Sequence, residues 1–147
     1  MESSTPTRVL VVAHRTAATP ALLDAVAQRA ARGPCVFTLL VPNQAHGLHR
    51  VVDAEDQDDE AAQAVIALAV PLLEEAAGGR VEAVVGDPEP LSAIQDAVNL
   101  RGFDEIIIST LPTRVSRWTR LDLPHKAAGL GLPVTTVTAK DRAAVTS

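Results

Sequence analysis

At 147 residues the chain has room for one domain with a single sizeable core and is too short for two comfortable ones. Hydrophobic residues make up 47% of it and aromatics only 2%, so the core must be built from Val, Leu, Ile and Ala, which suits strands covered by helices on both faces. A formal net charge of −5 argues against a general nucleic-acid or anionic-membrane role, since both need a basic excess. The single cysteine, Cys35, excludes an intramolecular disulfide and any cysteine-built zinc site. The opening MESSTPTR lacks the apolar stretch of a signal peptide, and no apolar run reaches the length of a membrane span, so a soluble cytoplasmic protein is expected.

In chain order, Arg8 to Ala13 (RVLVVA) is almost wholly apolar and predicts a strand buried on both faces, β1. Thr19 and Pro20 give an N-cap followed by proline in the first turn. Leu22, Leu23, Val26 and Ala30 then recur at helical spacing until Gly33-Pro34, which defines α1. Cys35 to Val41 (CVFTLLV) predicts β2, and Pro42 stops it. From Asn43 to about Asp56 nothing is periodic. Ala61 to Ala77 then reads as α2, with acidic residues ahead of its first turn and a kink or restart near Ala69-Val70 imposed by Pro71.

Arg80 to Val85 predicts β3, and Gly86-Asp87-Pro88 a turn and helix cap leading into α3, whose apolar positions Leu91, Ile94, Ala97 and Val98 end at Gly102. Asp104 to Thr110 predicts β4, Leu123 to about Leu130 a short α4, and Pro133 to Thr138 (PVTTVT) β5. The alternation of β5 marks it as an edge strand. Strands alternating with helices predict parallel pairing and a doubly wound, Rossmann-like α/β sheet with helices on both faces. The domain is expected to span 8–139, with a disordered N-terminus at 1–7 and a flexible tail at 140–147.

The stretch Ile106 to Lys126 sits where a nucleotide-binding α/β fold would carry a glycine-rich phosphate loop, yet it contains no glycine. It offers Ser109 and Thr110, then Arg114, Arg117 and Arg120 around Trp118. A phosphate held here must be gripped by guanidinium groups rather than by backbone N–H groups.

Three segments together resemble the universal stress protein family, over nearly the whole chain from Arg8 to Ala139. VVGDPEPLSAIQDAV followed by GFDEIIIST is similar to that family's third strand, GxP turn, helix and fourth strand, and GLPVTTVTA to its closing strand. The resemblance implies an adenine nucleotide alpha hydrolase-like sheet ordered 3-2-1-4-5, a ligand crevice between the ends of β1 and β4, and homodimerisation through Val134, Thr135, Thr136, Val137 and Thr138. ATP-binding members carry a G-x-x-G step followed, after roughly nine residues, by Gly-Ser or Gly-Thr. Here Ser109 and Pro112 stand at the first pair and Asp122-Leu123 at the second. The acidic residue that often follows β1 is replaced by Ala13-His14. Pro112 removes a backbone donor and Asp122 repels phosphate, so ATP binding does not carry over.

His14, Arg15 and Thr16 follow β1 and face Thr110 and Arg114 across the switch point of the sheet, near the end of β2 at Val41. They either grip a phosphate, sulfate or carboxylate, with Ser109, Arg117 and Lys126 as further contacts, or merely close a polar crevice mouth. Arg114, Arg117 and Arg120 recur every three residues and either meet a ligand or pair with the acidic run Asp53 to Glu60. His46 and His49 (HGLH) have a spacing compatible with two metal ligands if the segment is helical, and the carboxylates Asp53 and Glu55 follow, but a zinc site needs three or four converging ligands and no metal is expected. Asp122 reads as an N-cap for α4, and Cys35 as an inert core residue. With no G-x-S-x-G elbow, P-loop lysine or paired catalytic carboxylates, no enzyme activity and no cofactor are expected. Three functional readings stay open: a non-enzymatic, dimeric stress-response module, a nucleotide or anion sensor using Arg114, Arg117 and Lys126, and an enzyme with His14 as base.

Overall fold

The computed structural model describes residues 6–14, 16–42, 54–86, 89–110 and 123–138. Its elements are β1 (Thr7–Val12), α1 (Pro20–Ala31), β2 (Cys35–Pro42), α2 (Ala54–Ala77), β3 (Val81–Gly86), α3 (Pro90–Arg101), β4 (Glu105–Thr110), α4 (Leu123–Ala128) and β5 (Val134–Thr138). The five strands form one sheet in the order β3-β2-β1-β4-β5, and every pairing is parallel. This is the expected doubly wound order. The three inner strands β2, β1 and β4 are the near-continuous apolar runs, because each buries side chains on both faces. β3 and β5 are the edges.

Strand alternation divides the core into two layers. On one face Val9, Val11, Phe37, Leu39 and Ile107 pack under α1 and α2, with Leu22, Val26, Ala69 and Leu73 supplied by the helices. On the other, Leu10, Val12, Leu40, Ile106 and Ile108 pack under α3 and α4, against Ile94, Phe103, Leu123 and Ala127. Phe37 and Phe103 are both core residues. Among the described residues the rest of the hydrophobic core is aliphatic, in keeping with the aromatic-poor composition.

At the amino ends of the strands, β1 is tied to the α3–β4 connection. The Arg8 N–H donates to Asp104 Oδ2 at 2.9 Å, and the Asp104 N–H donates back to the Arg8 carbonyl at 2.8 Å. The Arg8 guanidinium lies 5.3 Å from the centroid of the Phe103 ring. Arg29, in the last turn of α1, grips Glu105 bidentately at 2.9 and 3.0 Å, which anchors that helix to β4. This hydrogen bond raises the Arg29 pKa above its ordinary value, so the guanidinium stays charged.

Along its helices the structure departs from the sequence reading in four places. α2 begins at Ala54 rather than Ala61, so most of the acidic run lies inside its first two turns, where the helix dipole favours it. The same helix runs through Pro71 without a restart. Pro71 and Ala67 are both exposed, so the carbonyl that proline cannot serve faces solvent. Thr19 stands at the α1 N-cap position, but its hydroxyl makes no cap bond and donates instead to the Thr16 carbonyl at 2.9 Å. The side chain capping α3 is Glu89, which accepts from the Ser92 N–H at 2.8 Å.

Cys35 is half-buried at the start of β2 rather than in the core, with its thiol directed at the Arg29 carbonyl 3.8 Å away. Burial pushes its pKa up, which keeps it protonated and poorly nucleophilic. Gly86 ends β3 where a methyl group would lie 2.8 Å from Leu40 Cδ1 and 2.9 Å from Ala93 Cβ. Gly86→Ala is therefore expected to overpack the β3–α3 contact and cost about 1–3 kcal/mol. Urea unfolding measures this, and an unchanged midpoint would show that α3 moves aside at no cost.

Candidate functional site

The strand order reverses between β1 and β4, whose neighbouring connections leave on opposite faces, and the crevice of an open α/β sheet lies at that point. Ala13 extends the β1–β2 ladder by one bond, from its N–H to the Leu40 carbonyl at 3.2 Å. The chain then turns sharply. The Ala17 N–H donates to the His14 carbonyl and the Thr19 N–H to the Thr16 carbonyl, both at 3.2 Å, and α1 starts immediately afterwards.

These turns carry Thr16 over the end of β4. Its hydroxyl lies 2.6 Å from Ser109 Oγ and 3.2 Å from the Ser109 carbonyl, and both residues are almost fully buried. The pair joins positions 93 residues apart across the switch point. Each hydroxyl finds a partner in the other, so neither is left as an unsatisfied buried group. Thr110, the last residue of β4, is also buried and stands in register with Thr138 of β5. His14 is half-buried. Val41 is fully buried in the core layer under α1 and α2, and Lys126 is exposed on α4.

Of the nine residues expected at the site, Thr16 and Ser109 are in direct contact, and His14 and Thr110 lie at the ends of the same two strands. Arg15, Arg114 and Arg117 lie outside the described residues, as do His46, His49 and the Asp122 cap position. Among the described residues no group of three or more His, Cys, Asp or Glu side chains could hold a metal ion. No described helix is long and apolar enough to cross a membrane. The mutual bond of Thr16 and Ser109 was not evident in sequence. Its only local signal is the spacing of Thr16 and Thr19 before Pro20, which marks a hydroxyl-rich turn.

No family model matches the sequence, and no curated protein matches it either. Solved structures do. A universal stress protein from Archaeoglobus fulgidus superposes with a TM-score of 0.65 at 17% identity, over 89% of this chain and 93% of that one. The fold is that of the universal stress proteins. A universal stress protein from the same organism in complex with dAMP gives 0.63 at 16% identity, over 92% of this chain and 99% of that one. A universal stress protein family protein from Arabidopsis thaliana with AMP bound gives 0.62 at 13% identity, over 92% and 93%. The likeness therefore spans the universal stress protein fold from end to end, while few side chains are shared. This chain carries a hydroxyl pair across its switch point, and no glycine stands between Gly102 and Gly129 in its sequence.

Proposed function

We propose that the protein is a non-enzymatic module of the universal stress protein type, with a stress-response or regulatory role, acting as a homodimer and without strong ATP binding. The observation that carries this reading is the Thr16–Ser109 contact, in which the two hydroxyls nearest the switch point satisfy each other. A phosphate loop of the usual kind works by bringing several backbone N–H groups close to the anion, which needs glycine. Here Pro112 and Asp122 stand at glycine positions of the resembled motif, one lacking a donor and the other negative. The triphosphate of ATP is the ligand most penalised by that exchange.

A second reading is favoured by the ligands of two of the neighbours, the adenine monophosphates dAMP and AMP. One phosphate needs fewer donors than three. Guanidinium groups at Arg114 and Arg117, with Lys126, supply charge enough for a single anion beside His14, Arg15, Thr16 and Thr110. In this reading the module senses a nucleoside monophosphate or small anion.

Calorimetry with MgATP and with AMP separates the two. ATP is expected to bind weakly or not at all. A submicromolar dissociation constant, worth more than about 8 kcal/mol, would sink the first reading. If AMP binds, Arg114→Ala is expected to weaken it by about 1.5–3 kcal/mol, the range for a hydrogen bond to a charged group. Unchanged affinity in that variant would place the anion elsewhere.

A further inference from the structure

An ordinary surface helix buries one apolar stripe and presents polar residues opposite. α2 does not. Its inner stripe, which includes Ala62, Ala69 and Leu73, is buried against the sheet and α1. A second apolar stripe, Ala64, Ala67, Leu68, Pro71 and Leu72, follows the i, i+3, i+4, i+7, i+8 spacing on the outside and is exposed. Leu68 is 65% accessible and Leu72 37%. Single exposed leucines need no explanation, but two leucines, a proline and two alanines in one stripe over about two turns form a coherent surface.

The charges around that stripe identify what covers it. α2 holds seven acidic residues, five between Glu55 and Glu60 plus Glu74 and Glu75, and no lysine, arginine or histidine. The helix thus carries a formal charge of −7 in a chain whose total is −5, which leaves the remaining residues at +2. At its C-terminal end the stripe meets exposed Glu75, while Glu74 is half-buried and accepts from the Val81 N–H, and the helix sequence ahead of the stripe is acidic from Glu55 to Glu60. A second copy of α2 laid on the first would bring two such helices together and be repelled. An anionic membrane surface is rejected on the same ground.

We propose that the outer face of α2 is a docking surface for a cationic amphipathic helix of another protein, with Leu68 and Leu72 as its apolar anchors and the acidic ends of α2 meeting the partner's lysines or arginines. Helix-in-groove recognition of this type reads apolar anchors at i and i+4 and uses flanking charge for orientation and speed of encounter. The surface lies over β2 and β3, at the opposite end of the sheet from β5, so it remains open whether or not the protein dimerises through β5 and whether or not the crevice holds an anion.

The test uses the full chain and a fluorescently labelled Leu/Lys peptide of about 18 residues, five helical turns, with its leucines on one face. A shuffled peptide of identical composition is the control, and polarisation is read at about 0.15 M salt. The amphipathic peptide is expected to bind, the shuffled one roughly tenfold more weakly or worse, and L68Q/L72Q to lose roughly tenfold in affinity at an unchanged melting temperature. Equal binding of both peptides would reduce the effect to charge attraction and overturn the proposal, as would unaltered affinity in L68Q/L72Q or no binding at about 1 mM peptide. Sedimentation equilibrium provides the other arm. Self-association that L68Q/L72Q abolishes would assign the face to a second copy and likewise overturn it.

Discussion

Ile108→Ala is expected to destabilise the fold by about 2–5 kcal/mol, a large share of the roughly 5–15 kcal/mol that holds a domain of this size together. Ile108 is fully buried in β4, in register with Val12 on one side and Thr136 on the other. It belongs to the core layer beneath α3 and α4 and immediately precedes the Ser109 that bonds Thr16. Strands on both sides hold its backbone in place, so the space left by three lost carbons cannot close by moving β4. Its cost therefore combines lost transfer energy with a retained cavity. Ile108→Val, which removes one carbon, is expected to cost only about 0.5–1.5 kcal/mol. Urea unfolding of the pair is the check, with the midpoint shifted and the m-value unchanged. A loss below about 1 kcal/mol in Ile108→Ala would mean that the short α4 sinks into the gap and that this layer is softer than its burial implies.

The same burial explains why the strands were legible. Each inner strand is a near-continuous apolar run because both its faces are covered, and no other described element has that pattern. α2 was legible only in part. Among the described side chains its inner stripe starts at Ala62, the acid-rich sequence before it carries no apolar period to read, and aspartate is a weak helix former in an interior. What holds those turns in helix is position, at the positive end of the dipole. Pro71 predicted a kink or a restart, and the helix continues through it without a restart. Its missing donor matters where a carbonyl is buried, and the exposed face on which it sits lets water take that role.

The switch-point rule placed His14, Thr16, Ser109 and Thr110 in one region, and the structure has them at the ends of the same two strands. It could not say that Thr16 and Ser109 satisfy one another. That follows from the two successive turns after Ala13, which depend on backbone bonds to His14 and Thr16 rather than on any residue type. The α3 cap fell on Glu89 instead of the preceding turn because its carboxylate reaches the Ser92 N–H three residues on, while Pro90 needs no donor satisfied.

Thr136→Pro is expected to shift the proposed dimer toward monomer while sparing the fold, and the register of β5 explains why. The Ile106 N–H donates to the Pro133 carbonyl, and Ile106 stands opposite Val134. In a parallel ladder the bonding residues then alternate, so 133, 135 and 137 face β4 while the N–H and C=O groups of Val134, Thr136 and Thr138 point out at the open edge. That edge contains no charge and no proline to discourage pairing, and Thr135, Thr136 and Thr138 are exposed. A two-fold axis beside β5 sets Thr136 near its own copy, and proline there removes one outward donor from each partner. Two lost hydrogen bonds, about 1–3 kcal/mol together, correspond to roughly a tenfold to hundredfold rise in the dissociation constant. Thr135→Pro is the contrasting variant. It strikes the inward ladder to β4 and should lower the melting temperature instead. Light scattering across concentration decides between them. An unmodified protein that stays monomeric at tens of micromolar, or a dimer indifferent to Thr136→Pro, would remove β5 from the interface.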